Sequence, residues 1–104
     1  MKHLTTENFP AFIQGAPVLV DFWATWCGPC QMEGKVLEKI CQDYPQYAER
    51  IGKVNVDEAR ELAISYGIQA IPSLLFFANG KVTQTIVGAR GEEELLVLLK
   101  QAFA

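Results

Sequence analysis

The chain has 104 residues, of which half are hydrophobic and a fifth are charged, as in an ordinary folded globular protein. The formal charge of −3, from 12 acidic and 9 basic side chains, is mild, and no run of Lys or Arg indicates a nucleic-acid or membrane surface. At this length we expect one domain over residues 1–104, large enough to bury a core without structural disulfides.

The N-terminal segment gives an expectation about location. Residues 1–6 are polar and lack the apolar stretch of a signal peptide. The longest apolar run, residues 17–24, contains Asp21 and is far too short to span a bilayer. We therefore expect a cytoplasmic protein with no membrane partner.

Helix and strand patterns alternate along the first half of the chain. Residues 6–14 are typical of a short helix, in which Pro10 is tolerable only near the first turn. Residues 18–24 form an apolar run, as expected for a central strand covered on both faces. Apolar residues then recur at helical spacing over residues 29–44. We expect the opposite face of that helix to carry Glu33, Lys35, Glu38, Lys39 and Gln42.

The second half continues this alternation. Residues 51–56 form another buried strand, after which Asp57 can cap a helix that Gly67 ends. Asn79-Gly80 tolerates positive φ angles and predicts a tight hairpin between residues 73–78 and 81–87.

Three glutamates at residues 92–94 open the last helix, where carboxylates complement the helix dipole. The resulting order, (β)αβαβαββα, predicts an α/β fold with a central mixed β-sheet flanked by helices on both faces. The parallel strands should come first, and the hairpin should form the antiparallel edge.

The segment Cys27-Gly28-Pro29-Cys30 lies where the first buried strand ends and a helix begins. Free N–H groups and the positive end of the helix dipole stabilise a thiolate there. We therefore expect Cys27 to be the nucleophile and Cys30, one turn further in, to resolve the mixed disulfide. Gly28 lets another backbone approach closely, and Pro29 fixes the turn where a missing N–H costs little.

Two other interpretations of this pair are structural cysteines and half of a zinc site. A structural pair rarely falls at such a junction, and beyond it the chain offers zinc only Cys41 and His3. A C-x-x-C pair beside a βαβ pattern favours redox chemistry, with no metal and no cofactor. Cys41 lies on an apolar stripe and is interpreted as a small buried hydrophobe, a regulatory thiol being the alternative.

Asp21 is an isolated carboxylate inside an apolar strand, where burial should raise its pKa. Lys53, inside the next apolar strand, is a candidate polar partner, and such pairing alone would be structural. A carboxylate tuned towards neutral pH also suits general acid–base work.

Several segments of the chain resemble the thioredoxin family. They are Val20-Asp21-Phe22-Trp23-Ala24, Trp26-Cys27-Gly28-Pro29-Cys30, Ala70-Ile71-Pro72, Asn79-Gly80 and Val87-Gly88-Ala89. They keep the family's order and cover nearly the whole chain. The resemblance implies the thioredoxin fold and a thiol–disulfide oxidoreductase that reduces protein disulfides through a mixed-disulfide intermediate.

The resemblance also implies roles for individual residues. Asp21 would accept the proton of Cys30 when that thiol attacks, and Lys53 would tune Asp21. Pro72 would be cis and face the reactive cysteines, while Ile71 would offer backbone hydrogen bonds to an extended substrate. The other residues assigned to substrate binding are Trp26, Gly28, Pro29, Gly67, Gly88 and Ala89. Trp26 could instead belong to the core, for which Trp23 is the better candidate.

We predict a general protein-disulfide reductant. The uncharged Gly28-Pro29 pair favours this activity, because in related oxidases a histidine between the cysteines stabilises the reduced form. Expected partners are disulfide-containing client proteins and an electron donor such as thioredoxin reductase, with the chain acting as a monomer. The alternatives are a binding module that uses the groove around Trp26 and Pro72, and an oxidoreductase dedicated to one client.

Two positions depart from the family pattern. Gly34-Lys35 stands where the family typically has a proline that kinks the helix, and glycine there costs about 1 kcal/mol relative to alanine. Ala70 stands where the family usually has glycine, so that its methyl group is expected to narrow the docking groove.

Overall fold

The computed structural model describes residues 1–104 as a mixed five-stranded sheet with helices on both faces. The strands are β1 (Lys2–His3), β2 (Val18–Trp23), β3 (Ile51–Asn55), β4 (Ser73–Ala78) and β5 (Lys81–Val87). The helices are α1 (Phe9–Ile13), α2 (Gly28–Asp43), α3 (Pro45–Ala48), α4 (Arg60–Ser65) and α5 (Glu92–Ala102). No helix has both the length and the apolar character needed to cross a membrane.

The strand order is β1-β3-β2-β4-β5. Strands β1, β3 and β2 are parallel, whereas β4 and β5 are antiparallel, as predicted. Strand β2 is central, and the β4–β5 hairpin turns at Asn79 and Gly80, which have φ angles of 53° and 81°. The register of this hairpin shifts between Phe76 and Phe77, which places an irregularity in the ladder next to the edge strand.

The two faces of β2 pack against different helices, because successive side chains of a strand point to opposite sides. Val20 and Phe22 belong to the core cluster that also contains residues of α1 and α4. Leu19 belongs to the cluster formed with α2 and α5. Asp21, two residues after Leu19, therefore faces the α2 side of the sheet.

The structure corrects two local predictions. Helix α1 is shorter than residues 6–14, although Pro10 does fall in its first turn. Asp57 does not cap α4, whose N-cap residue is Ala59 and has no side-chain hydrogen bond. Gly67, with a φ of 64°, follows the end of α4 as predicted. The short helix α3, introduced by a proline, was not predicted.

Candidate active site

Cys27 and Cys30 form a disulfide at the N-terminus of α2, with their Cα atoms 5.2 Å apart. Cys27 is the N-cap residue, and its Sγ accepts a hydrogen bond of 3.2 Å from the backbone N–H of Cys30. A free N–H at the start of the helix thus points at the Cys27 sulfur, which is the arrangement that stabilises negative charge there. Cys30 is fully buried and Cys27 is 7% exposed, whereas Gly28 and Pro29 are exposed between them.

Trp26, immediately before the disulfide, lies on the surface with 70% of its area exposed. Its indole Nε1–H donates a 2.8 Å hydrogen bond to the carboxylate of Asp57, which holds the ring beside the cysteines. The core alternative for Trp26 is therefore wrong. Trp23 is partly buried and packs against the small cluster of Ala24, Cys27 and Cys30, but its indole nitrogen is buried without a partner.

A shallow apolar groove begins at Trp26. The residues that line it are Trp26, Val56, Ala63, Ile68, Gln69, Ala70 and Ile71. Six of the seven are hydrophobic, so the groove suits an apolar segment of a partner. Ala70, the position at which the family usually has glycine, is exposed within it.

The loop before β4 closes the other side of the site. The Ile71–Pro72 peptide bond is cis, and the carbonyl oxygen of Ile71 lies 3.9 Å from the Sγ of Cys27. The N–H of Gly88 donates a 2.9 Å hydrogen bond to the carbonyl oxygen of Pro72. The structure thus brings Cys27, Ile71, Pro72 and Gly88 together.

Two of the predicted docking residues lie at the margins of this arrangement. Gly67 is exposed and lies next to Ile68, a groove residue, without itself lining the groove. Ala89 follows Gly88 and lines a separate cleft together with residues of α2.

Asp21 is completely buried, and neither of its carboxylate oxygens has a hydrogen-bond partner. Desolvation raises its pKa from 3.8 to about 7, an effect that the charge of Lys53 opposes and the charge of Glu33 reinforces. Lys53 is the register partner of Asp21 on β3, but the two make no ion pair within 4.0 Å. The ammonium of Lys53 lies 4.2 Å from the centre of the Trp23 ring instead.

Glu33, predicted to lie on the polar face of the helix after the cysteines, is buried with 1% of its area exposed. Its Oε2 accepts a 2.8 Å hydrogen bond from the backbone N–H of Arg90, and its Oε1 has no partner. Burial raises the pKa of Glu33, while the N–H of Arg90 and the charges of Arg90 and Lys53 lower it. The prediction failed because the loop between β5 and α5 covers this side of α2.

Gly34 is buried, and α2 runs unbroken past it. A Cβ atom at this position would lie 3.2 Å from the Nζ of Lys53. The missing side chain therefore leaves room for the ammonium of Lys53 against the helix, between the sheet and α2.

The remaining candidate residues lie away from the disulfide. Cys41 is a partly buried free thiol that packs against the α2–α5 core cluster, and burial raises its pKa. His3 pairs with Glu58 at 3.0 Å on the surface, a contact that nothing in the sequence indicated. No group of three or more His, Cys, Asp or Glu side chains is placed to hold a metal ion.

A disulfide-forming cysteine pair at a helix N-terminus, flanked by an apolar groove, defines a thiol–disulfide oxidoreductase. Comparison with known families agrees with this class. The thioredoxin family model matches residues 1–101 of the chain.

Individual relatives give the same result. The chain is 39% identical over 101 residues to a thioredoxin of Chlamydia pneumoniae, covering 97% of both chains. It is 44% identical over 95 residues to a thioredoxin of Listeria monocytogenes, covering 91% of both. The crystal structure of a Malassezia sympodialis thioredoxin, 39% identical, superposes with a TM-score of 0.87 over 100% of this chain and 91% of that one. The chain belongs to the thioredoxin family and has its thiol–disulfide reductase function.

Proposed function

We propose that the chain reduces protein disulfides with Cys27 as nucleophile and Cys30 as resolving thiol. The Cys27 thiolate attacks one sulfur of the client disulfide, and the other client sulfur leaves as a thiolate. Cys30 then loses its proton and attacks the Cys27 sulfur, which releases the second client thiol and leaves the Cys27–Cys30 disulfide. The observation that carries this assignment is the hydrogen bond from the Cys30 N–H to the Sγ of Cys27 at the start of α2.

Asp21 is the proton acceptor for Cys30 in this proposal. Its pKa of about 7 lets the carboxyl exist in both protonation states at neutral pH, as a general base requires. Lys53, on the neighbouring strand and the same face of the sheet, tunes Asp21 by favouring its ionised form.

Client proteins dock across the apolar groove and the loop that contains the cis peptide bond. The backbone N–H of Ile71 donates to no other group of the chain, which leaves it free for an extended client segment. Trp26 supplies the largest exposed apolar surface on the groove side, and the backbone of Gly28 and Pro29 allows a close approach. The edges of the docking surface are formed by Gly67, Gly88 and Ala89. The methyl group of Ala70 narrows it.

The family as a whole acts on disulfide-containing substrates and depends on a reductase. For this chain we propose a thioredoxin reductase-type donor that returns two electrons to the Cys27–Cys30 disulfide after each turnover. We also propose that residues 1–104 form one thioredoxin domain, which acts as a monomer in the cytoplasm.

The assignment is tested by reduction of an accessible protein disulfide with dithiothreitol as the electron source. Cys27→Ser should abolish catalysis, and Cys30→Ser should accumulate a mixed disulfide with the client. Cys41→Ser, which removes the cysteine outside the pair, is the matched control and should retain full activity. Unchanged activity of Cys27→Ser would overturn the proposed roles.

A further inference from the structure

The carboxylate of Glu33 connects the catalytic helix to the loop between β5 and α5. Glu33 lies on α2 one turn after Cys30, and its Oε2 accepts the 2.8 Å hydrogen bond from the backbone N–H of Arg90. The other oxygen, Oε1, is buried and has no partner within the chain. A buried carboxylate with half of its hydrogen-bonding capacity unused is costly, so its presence calls for a role beyond packing.

The loop that Glu33 holds is otherwise fixed by Arg90. The guanidinium of Arg90 donates hydrogen bonds to the carbonyl oxygens of Val87, Gly88 and Ala89 at 3.1, 3.2 and 3.3 Å, and to the carboxylate of Glu94 at 3.0 Å. These bonds make the loop rigid within itself. It is attached to α2 by the hydrogen bond to Glu33 and, where α5 begins, by the 2.9 Å ion pair between Lys39 and Glu92.

The charged side chains of Asp21 and Lys53 lie between the sheet and α2. Asp21 on β2 and Lys53 on β3 are register partners facing α2, and the position of Gly34 places the Nζ of Lys53 against that helix. Glu33, on the same helix, is also buried, and its charge acts on Asp21. The Asp21 carboxyl therefore lies near one cation and one further carboxylate in the space between the sheet and α2.

The other ionisable groups near this space are the exposed Glu38, the side chain of Arg90 and the two reactive thiols. Glu38, further along α2, is exposed and lines an open cleft that also contains Lys53. The side chain of Arg90 faces Glu33 from the loop. Strand β4 places an apolar residue, Leu74, opposite Asp21. The reactive thiols themselves belong to Cys27 and Cys30.

We propose that Glu33 is a positioning residue with two separable effects: its hydrogen bond helps to hold the docking loop at Gly88 and Ala89 against the catalytic helix, and its negative charge acts on Asp21 in the buried space between the sheet and α2. The second effect rests on the proposed role of Asp21 as the base for Cys30.

The sign of the charge effect follows from Coulomb's law. Desolvation is the main cause of the raised pKa of Asp21, and an ionised Glu33 adds to the rise by repelling the ionised carboxylate of Asp21. Removing the charge should lower the pKa of Asp21. Because only the ionised carboxyl accepts a proton, the rate of Cys30 attack should then reach its plateau at lower pH.

Two substitutions separate these effects. Glu33→Gln removes the charge but keeps a carbonyl oxygen that accepts from the Arg90 N–H, whereas Glu33→Leu removes both. Both variants should shift the pH midpoint of mixed-disulfide resolution to lower values. Only Glu33→Leu should raise KM for a protein disulfide, by about fivefold for one lost hydrogen bond, with KM for a small aromatic disulfide unchanged. Glu38 is an exposed carboxylate of the same helix, so Glu38→Gln should change neither the pH midpoint nor KM.

The inference fails if Glu33→Gln leaves the pH midpoint in place, or if Glu33→Leu raises KM equally for protein and small disulfides. Asp21→Asn distinguishes this failure from a failure of the proposed base. If Asp21→Asn retains the wild-type pH profile, the role of Asp21 is wrong. If Asp21→Asn removes the pH transition while Glu33→Gln does not move it, only the inference about Glu33 is wrong. If Glu33→Gln shifts the pH midpoint in the wild-type background but has no effect on the pH profile in an Asp21→Asn background, the coupling between Glu33 and Asp21 is supported.

Discussion

Replacing Asp21 with asparagine should stabilise the folded protein at neutral and alkaline pH but not in acid. The pKa of Asp21 is about 7 in the native state, against an ordinary value of 3.8 that applies to the unfolded chain. Below pH 3.8 the carboxyl is protonated in both the native and the unfolded state, so it does not change the free energy of unfolding. Between about pH 4 and 7 the unfolded state loses this proton first, which destabilises the native state progressively until the effect levels off above about pH 7.

The magnitude follows from the same two values. A difference of roughly three pKa units corresponds to about 4 kcal/mol, at about 1.36 kcal/mol per unit. Asparagine resembles the protonated carboxyl in shape and cannot ionise, so the variant avoids this penalty. We therefore expect Asp21→Asn to exceed the wild type by about 4 kcal/mol in free energy of unfolding at about pH 8, and to match it near pH 3.5.

Urea denaturation of both oxidised proteins from about pH 3.5 to 8 measures this difference directly. Asp43→Asn is the matched control, since Asp43 is exposed and its substitution should shift stability by less than about 1 kcal/mol at every pH. A difference between Asp21→Asn and wild type that stays constant across this pH range would refute the reasoning. The reasoning would also be refuted if the wild type were more stable than Asp21→Asn at about pH 8.

Two substitutions of buried glycines should have opposite effects on stability. Gly52→Ala would place a Cβ 2.5 Å from Leu4 Cδ1 and 2.9 Å from Phe12 Cε2, so we expect a loss of about 1–3 kcal/mol in urea denaturation. Gly34→Ala meets only the flexible end of Lys53 at 3.2 Å, and should gain up to about 1 kcal/mol from the better helix propensity of alanine.

Gly91→Ala is the control for both glycine substitutions, because a Cβ added there would meet no atom within 4 Å beyond its chain neighbours and its φ is −80°. Because Gly91 is the N-cap residue of α5 and alanine is a poorer N-cap than glycine, we expect Gly91→Ala to lose about 1 kcal/mol without any clash. A stable Gly52→Ala variant would show that Leu4 and Phe12 can move aside at little cost. A destabilised Gly34→Ala variant would show that Lys53 cannot move.

The sheet and the reactive cysteines could be predicted because their signals are local. Asn79-Gly80 determines its own turn, and the hairpin strands were predicted with the bounds that the structure has. The position of Cys27 at a strand–helix junction follows from the apolar run before it and the helical spacing after it. These patterns depend on neighbours in sequence, so a single sequence contains them.

The site residues that sequence analysis misplaced depend on contacts between distant segments. Asp57 resembled a helix cap, but its carboxylate accepts from Trp26, 31 residues earlier. Glu33 was assigned to the polar face because glutamate is rarely buried. Its spacing of three residues from Cys30 and four from Leu37, both fully buried, was the available signal that this position lies on the buried stripe.

The edges of the sheet have a consequence for behaviour at high concentration. Strand β1 is only two residues long, and β5 begins with a lysine and carries mostly exposed side chains beside the register shift at Phe76 and Phe77. Short edges, exposed polar side chains and ladder irregularities all disfavour the addition of a strand from another molecule. The hairpin turn is also attached to the segment before β2, because the N–H groups of Asn79 and Gly80 donate hydrogen bonds to the carbonyl oxygens of Gly15 and Ile13. Edge-to-edge aggregation of the folded protein is thus opposed on both sides, while the apolar surface beside the disulfide stays open.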